Sequence, residues 1–309
     1  MINNNHRKVA IIGSGPAGLS AALYTARADL KPILFSGMLL HGQVSQTHLI
    51  ENYPGFPDGI SGMDLGQLFQ KQAERFGAVV EFDQVEKVNL DVNPFKISTY
   101  SQDYFADAVI ISTGADPKKL NIPGEKEFTG RGVSYCATCD GWFYKDKDVV
   151  LVGGGDSALE EGLFLTRFVK SVSIIHRRDK LRAGAILENR AKSNPKIQFI
   201  WNSVVTEIKG EESVSSVTIK NVISEEETSK NTEGIFIFIG HRPNSMMFKG
   251  QLEIDDLGYI KIDQKMQTSI PGVFAAGEIA DPIYRQVVTS AGMGAAAGMQ
   301  AIHYLESIQ

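Results

Sequence analysis

The sequence predicts an α/β fold built from two Rossmann-like units, each a three-layer βαβ arrangement. A glycine-rich turn at residues 13–18 has an apolar segment before it and an alanine-rich segment after it. A second turn of the same kind follows about 140 residues later, at 153–158. Between them lie the only two cysteines of the chain, Cys136 and Cys139. The chain therefore repeats a nucleotide-binding unit, with a cysteine pair placed between the two copies.

Composition excludes several classes of protein. A chain of 309 residues is long enough for two domains. A net charge of −5 without a strongly basic block argues against nucleic-acid binding through phosphate contacts. No apolar run approaches the ~20 residues that cross a bilayer. The polar N-terminus, residues 1–8, is expected to lead into a strand and not to act as a signal peptide. We therefore expect a cytoplasmic protein, where a close cysteine pair is more often catalytic than structural.

The first unit begins with a predicted strand at 8–12, the turn Gly13-Ser14-Gly15-Pro16-Ala17-Gly18 and a helix at 19–28. In the dinucleotide fingerprint the first glycine permits the tight turn, the second lets the backbone approach a pyrophosphate, and the third lets the helix pack on the strand. The helix N-terminus then faces the phosphates. A glycine turn without a ligand is the alternative, which the flanking strand and helix disfavour.

The second strand of this unit, predicted at 32–35, ends in Ser36-Gly37, where the fingerprint expects an acid on a ribose. The adenosine ribose contact is therefore unassigned. Further elements are predicted from apolar periodicity: a helix at 60–76, strands at 79–90, 95–100, 107–114 and 268–278, and a Gly/Ala-rich helix at 287–305. The last helix either faces a ligand with its N-terminus or only packs.

The second unit has a predicted strand at 148–152, the turn Gly153-Gly154-Gly155-Asp156-Ser157-Ala158, and a helix at 158–168. Its next strand, 171–175, ends in His176-Arg177-Arg178-Asp179-Lys180-Leu181-Arg182-Ala183. Three arginines at this place would neutralise a 2′-phosphate, so the unit is predicted to prefer NADPH. A solvated basic stretch is the alternative. A hairpin at 204–208 and 214–223, with a charged, solvent-facing tip around Glu225-Glu226-Glu227, and a strand at 234–240 complete the unit.

The two cysteines, with Asp140 directly behind them, are predicted to be redox-active. A ring closed by so short a spacing constrains the unfolded chain little, so it is a poor structural staple and better suited to dithiol–disulfide cycling. Two buried, inert cysteines are the alternative. A zinc site would need about four ligands, and no second cysteine pair exists, so no metal is predicted.

These residues resemble the low-molecular-weight, flavin-dependent thioredoxin reductases of the pyridine nucleotide-disulfide oxidoreductase family. The likeness covers nearly the whole chain, and its motifs in this order are highly specific. They are Gly13 to Gly18, Glu51-Asn52-Tyr53-Pro54-Gly55-Phe56, Cys136-Ala137-Thr138-Cys139-Asp140-Gly141, Gly153 to Ala158, His176 to Ala183, Gly240-His241-Arg242-Pro243-Asn244 and Phe274 to Gln286.

The resemblance implies a discontinuous FAD-binding domain, residues 1–114 and 246–309, with an inserted NADPH-binding domain, 115–245, that carries the cysteine pair. The FAD contacts it implies are Gly13, Ser14, Gly15, Pro16, Ala17, Gly18, Ser36, Gly42, Gln43, Asn52, Gly277, Glu278, Arg285, Gln286 and Val287. The NADPH contacts it implies are Gly153, Gly155, Asp156, Ser157, His176, Arg177, Arg178 and Arg182.

The resemblance also implies the reaction. Hydride passes from NADPH to FAD, and the electrons then open the Cys136–Cys139 disulfide through Cys139. Cys136 attacks the disulfide of thioredoxin, and Asp140 donates and accepts the proton, although a helix-capping role for Asp140 is an alternative on spacing alone. The inserted domain is expected to rotate on hinges near 113–117 and 240–245, and a homodimer is expected.

Three other functions compete with this one. A related NADP reductase of similar build lacks the cysteine pair, and a flavin-binding sensor needs no NADPH site. A reductase of another thioredoxin-like or peroxidase-system carrier would share the same site residues. Two departures from the family pattern concern the flavin. The family usually has Gly-Gly-Gln-Leu in the flavin loop, where this chain has His41-Gly42-Gln43-Val44, and the imidazole either changes the flavin environment or points to solvent. Glu278 stands where the family usually has Asp.

Overall fold

The computed structural model describes residues 5–47 and 49–308, so the first four residues of the predicted N-terminal tail lie outside the described part. The chain divides into two compact units, one formed by Met1–Asp116 with Arg242–Gln309 and the other by Pro117–His241. The borders predicted from the sequence lie after residue 114 and after residue 245. Each unit contains its own sheet with a parallel core.

The first unit begins with alternating strands and helices. These elements are β1 (His6–Ile12), α1 (Pro16–Arg27), β2 (Ile33–Phe35), a 3₁₀ turn (Gly42–Gln46), α2 (Gly62–Arg75), β3 (Val79–Glu81), β4 (Val85–Asn89), β5 (Phe95–Thr99), β6 (Asp103–Ile111) and the connecting strand β7 (Ala115–Pro117).

The second unit follows the same alternation and then adds antiparallel strands. Its elements are β8 (Val133–Ser134), α3 (Ala137–Asp140), a 3₁₀ turn (Gly141–Tyr144), β9 (Asp148–Gly153), α4 (Asp156–Leu165), β10 (Ser171–Ile175), α5 (Ala185–Lys192), β11 (Ile197–Ile200), β12 (Ser203–Gly210), β13 (Val214–Asn221), β14 (Glu227–Asn231) and β15 (Gly234–Phe238). The chain then returns through β16 (His241–Pro243), which pairs with β7, a 3₁₀ turn (Met246–Phe248), β17 (Val273–Ala275) and α6 (Val287–Ser307).

The sheet of the first unit has the order β3-β2-β1-β6-β5-β4, with β17 also paired to β6. Strands β1, β2, β3, β6 and β17 run parallel, whereas β4 and β5 are antiparallel additions. Ile12 is in register with Phe35 on one side and with Ile111 on the other. The strands therefore end at one level, and the loops that follow them meet at one edge, where ligands of such sheets bind.

The apolar run of β1 packs on both faces of this sheet. Val9 and Ile11 pack against α1 and α6, while Ala10 and Ile12 pack against the opposite layer. All four are 4% exposed or less. Successive side chains of a strand point to opposite faces, so a strand covered on both faces reads as a continuous apolar run. Each large side chain buried in this way stabilises the fold by roughly 1.5–3 kcal/mol.

The sheet of the second unit has the order β11-β10-β9-β15-β8 and is parallel at every pairing. Helix α4 covers one face through Val149 and Leu151, and the three-stranded antiparallel sheet β12-β13-β14 covers the other through Val150 and Val152. This confirms the predicted three-layer α/β class.

The predicted hairpin is present as the antiparallel pair β12 and β13, and Glu225, Glu226 and Glu227 are exposed as expected. The structure adds β14 as a third strand, and Glu227 begins that strand. The strand has no apolar alternation to mark it, because it lies at the sheet edge with most side chains exposed. The strand predicted at 79–90 is two short strands, β3 and β4, and the strand predicted at 268–278 is reduced to β17. Within the described residues, no helix has both the length and the apolar character to span a bilayer.

Candidate active site

The first glycine turn leaves open space above helix α1. Gly13 has φ +111°, and a side chain there would collide with the carbonyl of Ser112. A side chain at Gly18 would collide with the carbonyl of Gly13, so α1 packs closely on β1. A Cβ at Gly15 would meet nothing within 4 Å. Gly15 also caps α1 without a side-chain hydrogen bond, so the helix N-terminus opens onto free space that suits an anionic group.

Loops from both ends of the chain converge on this turn. A Cβ on Gly42 would lie 3.1 Å from the Cα of Gly15. A Cβ on Gly277, which has φ +78°, would lie 2.9 Å from the Cβ of Ala17. The predicted flavin residues in these three segments are therefore neighbours in the folded unit.

Asn52 and Gln286 meet although 234 positions separate them, because Asn52 Nδ2 donates to Gln286 Oε1 at 3.1 Å. Gln286 is also the N-cap of α6 in a capping box with Thr289. Val287 packs against the small apolar cluster of Val44, Ile50 and Leu65. The N-terminus of α6 therefore lies at the predicted site.

Ser14 and Gln43 hold the loops that surround this site. The Ser14 hydroxyl is buried, accepts a hydrogen bond from the His41 amide at 3.0 Å, and lies 3.3 Å from the carbonyl of Ser36. Gln43 Nε2 donates to the carbonyl of Ala115 at 2.6 Å. The Ser36 hydroxyl donates to the next carbonyl, of Gly37, at 2.9 Å. Ser14 thus positions backbone around the site.

His41 is buried, so its imidazole does not point to solvent. Its backbone has φ +66°, a conformation that favours glycine, and its side chain is 1% exposed. The ring Nε2 lies 2.7 Å from Gln70 Oε1 on α2. Gly66 on the same helix has no side chain, and a Cβ there would lie 2.5 Å from His41 Cβ. The imidazole therefore ties the loop to α2.

Glu278 lies in a half-buried acidic turn. Burial raises its pKa to about 7, Arg285 opposes this shift, and the negative charges of Asp281 and Asp116 add to it. Asp281, which the sequence analysis did not single out, is 6% exposed and accepts hydrogen bonds from the backbone amides of Ile283, Tyr284 and Arg285. An aspartate followed by proline is a turn signal that would have identified it. Arg285 is held with φ +49°.

An open pocket of about 500 Å³ lies beside the carboxyl ends of β2 and β3. Its walls comprise Gly37, Met38, Phe82, Asp83, Gln84, Glu86, Tyr100 and Ser101. The Gly37 amide donates to the carbonyl of Asp83 at 3.1 Å. An acid therefore stands next to the end of β2, although it comes from the neighbouring strand, so the fingerprint spacing gave no signal for it.

The second glycine turn is braced by the basic segment that follows β10. A Cβ at Gly155 would meet nothing within 4 Å, and Gly155 caps α4 without a side-chain hydrogen bond. The His176 ring is 6% exposed, with Nδ1 3.0 Å from the carbonyl of Gly153 and Nε2 3.0 Å from that of Lys180. Asp156 Oδ1 accepts the Gly184 amide at 2.7 Å. His176 and Asp156 therefore join the glycine turn to the basic segment.

The arginines of this segment are exposed at the same turn. The Arg182 amide donates to the carbonyl of Gly154 at 2.7 Å. Arg177, Arg178 and Arg182 are exposed, as is Ser157. Across residues 5–47 and 49–308, none of the three guanidinium groups takes part in an ion pair. Free cations beside an open helix N-terminus suit a phosphorylated nucleotide.

A disulfide joins Cys136 and Cys139, with their Cα atoms 5.3 Å apart. Both residues are half-buried. Cys136 is the N-cap of α3, and its sulfur accepts a hydrogen bond from the Cys139 amide at 3.2 Å. Asp140 is therefore not the cap of this helix. The pair is oxidised and partly accessible, as a redox-active pair requires.

Asp140 points toward Ser134, on the strand before the disulfide. Its Oδ2 accepts a hydrogen bond from the Ser134 hydroxyl at 2.5 Å. Burial raises the Asp140 pKa, and this hydrogen bond opposes the shift. Burial and the nearby charge of Asp140 raise the pKa of Tyr144 to about 12. Ser134 was missed by the sequence analysis because a lone serine carries no pattern.

Two aromatic rings are exposed directly after the disulfide. Trp142 is 54% exposed and Phe143 is 41% exposed. Lys145 Nζ lies 5.3 Å from the centre of the Trp142 ring. Aromatic side chains are enriched where proteins contact one another, so these two rings are candidates for such a contact. In the part of the chain that the structure describes, no group of three or more His, Cys, Asp and Glu residues is arranged to hold a metal ion.

Comparison with known proteins gives consistent matches. Residues 7–294 match the family described as pyridine nucleotide-disulphide oxidoreductase. The chain is 50% identical over 303 residues to the thioredoxin reductase of Rickettsia felis, covering 96% of this chain and 98% of that protein. It is 48% identical to the thioredoxin reductase of Streptomyces clavuligerus, covering 98% and 95%. The crystal structure of thioredoxin reductase from Streptococcus pyogenes superposes with a TM-score of 0.94, at 45% identity, over 99% of this chain and 100% of that one.

Proposed function

The chain belongs to the pyridine nucleotide-disulphide oxidoreductase family and, within it, to the thioredoxin reductases, and on this basis we propose that it uses NADPH to reduce the disulfide of thioredoxin. The Cys136–Cys139 disulfide, with the carboxyl of Asp140 beside it, carries this conclusion. A disulfide in a short helical turn, half-buried and adjacent to a carboxyl group, is built for exchange with another disulfide.

The first unit holds FAD and the second holds NADPH in this proposal. The open cradle at Gly15, enclosed by the loops at Gly42 and Gly277, fits the pyrophosphate of a dinucleotide. The pocket beside Asp83 fits the adenosine end, where the ribose contact was unassigned. At the second turn, the free arginines favour the 2′-phosphate that distinguishes NADPH from NADH. When bound, the two cofactors supply the two electrons that open the disulfide.

The chain's own residues then carry out the thiol chemistry. Opening the Cys136–Cys139 disulfide consumes two electrons and two protons and leaves a dithiol. Cys139 is the sulfur on the flavin side. Cys136 attacks one sulfur of the substrate disulfide, its S–H proton passing to Asp140, and a mixed disulfide forms as the substrate's own S–S bond breaks. Cys139 then attacks the Cys136 sulfur of the mixed disulfide, which restores the enzyme disulfide. Asp140 returns its proton to the substrate sulfur released first, the S–H proton of Cys139 passes to the second, and the reduced substrate leaves as a dithiol.

Asp140 supports these steps as a proton donor and acceptor. Its raised pKa places its titration nearer the working pH than that of an ordinary aspartate, which favours proton exchange with thiols. The carboxyl lies on the short helix that carries both sulfurs. This arrangement supports proton exchange and not the capping role.

The substrate is a protein in this proposal. Trp142 and Phe143 are exposed next to the disulfide and offer an apolar contact for a thioredoxin. Another thioredoxin-like carrier, such as one from a peroxidase system, would use the same residues. The family resemblance further supports a homodimer, rotation of the second unit on the paired strands β7 and β16, and a cytoplasmic location.

The test is a turnover assay of the flavin-loaded protein with NADPH and a panel of purified thioredoxin-like carriers. We expect NADPH oxidation coupled one to one to reduction of a thioredoxin disulfide, with NADH much less effective. NADPH oxidation without reduction of any carrier disulfide would contradict the proposed function. Turnover with a peroxidase-system carrier and none with thioredoxin would replace thioredoxin as the substrate.

A further inference from the structure

Ser134 makes three polar contacts around the disulfide from a fully enclosed position. It ends strand β8 and is 4% exposed. Its Oγ lies 2.5 Å from Asp140 Oδ2, 3.2 Å from the carbonyl oxygen of Cys136, and 3.1 Å from the Cys136 amide, which donates to it. A single hydroxyl therefore touches both the carboxyl group and the backbone of the first cysteine.

The hydroxyl has one proton for two acceptors. The Cys136 amide occupies a lone pair of Oγ, so the Ser134 proton goes either to the Asp140 carboxyl or to the Cys136 carbonyl. An ionised carboxylate is the stronger acceptor and takes the proton. When Asp140 is protonated, its own O–H can donate to Ser134 Oγ, and the hydroxyl is free to turn to the Cys136 carbonyl. The protonation state of Asp140 therefore determines which group accepts the hydrogen bond from the Ser134 hydroxyl.

We propose that Ser134 is a positioning residue that couples the protonation of Asp140 to the backbone of Cys136 and so sets the pH range in which the dithiol reacts. This inference rests on the proposed disulfide-reductase function and names a residue that acts through Asp140. Ser134 stabilises the ionised form of Asp140, because its hydroxyl donates a hydrogen bond to the carboxylate and this bond is made only when Asp140 is ionised.

Few other groups act on this carboxyl. Burial and Ser134 are the two influences on Asp140, and they oppose each other. Tyr144, from the following 3₁₀ turn, is affected by the charge of Asp140 and has its pKa raised to about 12, so it remains a neutral phenol in the working range. Helix α4, which packs on α3, carries three acids, Asp156, Glu160 and Glu161. The shift of the Asp140 pKa comes from burial and from the Ser134 hydrogen bond. Removing the Ser134 hydroxyl therefore leaves burial unopposed.

The experiment compares Ser134→Ala with the wild type as flavin-loaded full-length enzymes. The rate of reduction of a small aromatic disulfide at saturating NADPH is recorded from pH 5 to 9. One limb of the pH–rate profile should be absent in Asp140→Asn and therefore report on Asp140. In Ser134→Ala we expect the midpoint of that limb to move to higher pH by roughly one unit, because a charge-assisted hydrogen bond to the carboxylate is lost. Ser134→Thr, which keeps the hydroxyl, should return the limb toward its wild-type position.

Ser203→Ala is the matched control. Ser203 is also 4% exposed, lies in the same unit, and donates to the carbonyl of Trp201 at 2.8 Å. Its loss removes a buried hydroxyl without touching Asp140, so its pH profile should superimpose on that of the wild type. A Ser134→Ala profile that superimposes on the wild type, or an equal shift in Ser203→Ala, would overturn the inference.

A second measurement needs no variant at Ser134. The backbone amide nitrogen of Cys136 and the carboxyl carbon of Asp140 are followed by NMR as the pH is varied in the oxidised wild-type enzyme. Both signals should titrate with the same midpoint. A flat Cys136 amide signal while Asp140 titrates would overturn the coupling. Because the substrate is a small disulfide, failure to reduce thioredoxin would affect the proposed partner and leave this result readable.

Discussion

Replacing Glu278 by Gln should stabilise the protein, and increasingly so as the pH rises. The carboxyl lies in the half-buried turn with Asp281 and Arg285, and burial with two neighbouring acids raises its pKa from 4.5 to about 7. Between these two values the folded state holds a proton that the unfolded state has released. Stability is therefore greatest below pH 4.5 as far as this group is concerned, and it is lost as the pH rises through 7.

The size of the effect follows from the shift. A displacement from 4.5 to about 7, at 1.36 kcal/mol per pH unit, corresponds to about 3 kcal/mol. Glutamine has the shape of the protonated acid but does not ionise. The difference in free energy of unfolding between Glu278→Gln and the wild type should therefore be near zero at about pH 4 and approach about 3 kcal/mol above about pH 8.

The assay is urea unfolding of both proteins at several pH values, with equal flavin content. Ser203→Ala serves as a control whose effect should not depend on pH. A Glu278→Gln difference that is constant from pH 5 to 8, or that shrinks as the pH rises, would refute the idea that this carboxyl is held protonated.

Three further variants, one of them a double substitution, give testable outcomes. Cys139→Ser should leave flavin bleaching by NADPH intact and abolish disulfide turnover, as followed by flavin absorbance and thiol release; surviving turnover would reverse the sulfur assignments. The double variant Arg177→Ala, Arg178→Ala should weaken NADPH binding by roughly 100-fold and NADH binding by less than about threefold, measured by calorimetry; equal losses would remove the 2′-phosphate role. Glu125→Ala should lower the free energy of unfolding by about 3 kcal/mol, because its buried carboxylate accepts two backbone amides and the Tyr135 hydroxyl; a loss below about 0.5 kcal/mol in urea unfolding would contradict this.

Much of the fold could be predicted from local sequence patterns. The turns at Gly13 and Gly153 each follow a buried parallel strand. Glycine is required in these turns because φ is positive or because neighbouring atoms come too close for a side chain. Those neighbouring atoms belong to residues within about 20 positions or to the adjacent strand. Strand β14 was missed because a polar edge strand is specified by its pairing with β13 and not by its own sequence. An alternation of apolar and polar residues arises only where one face of an element is buried, so an exposed strand cannot be predicted from it.

The candidate site was less accessible to sequence reasoning where tertiary contacts decide the role. His176 and Ser14 were predicted as cofactor contacts, yet their polar atoms bond to backbone and brace the loops. Ser134 carries no motif of its own, and only the fold brings it against Asp140. Asp83 stands beside the end of β2 because β3 pairs with β2, a relation that linear spacing does not reveal.

The central claim is that electrons from NADPH reach the Cys136–Cys139 disulfide. The most direct measurement is alkylation of the flavin-loaded enzyme under anaerobic conditions, with and without NADPH, followed by mass spectrometry of the peptide that contains both cysteines. We expect an unlabelled disulfide before NADPH is added and two alkyl groups, one on each cysteine, after it. Bleaching of the flavin by NADPH with both cysteines still unlabelled would contradict it.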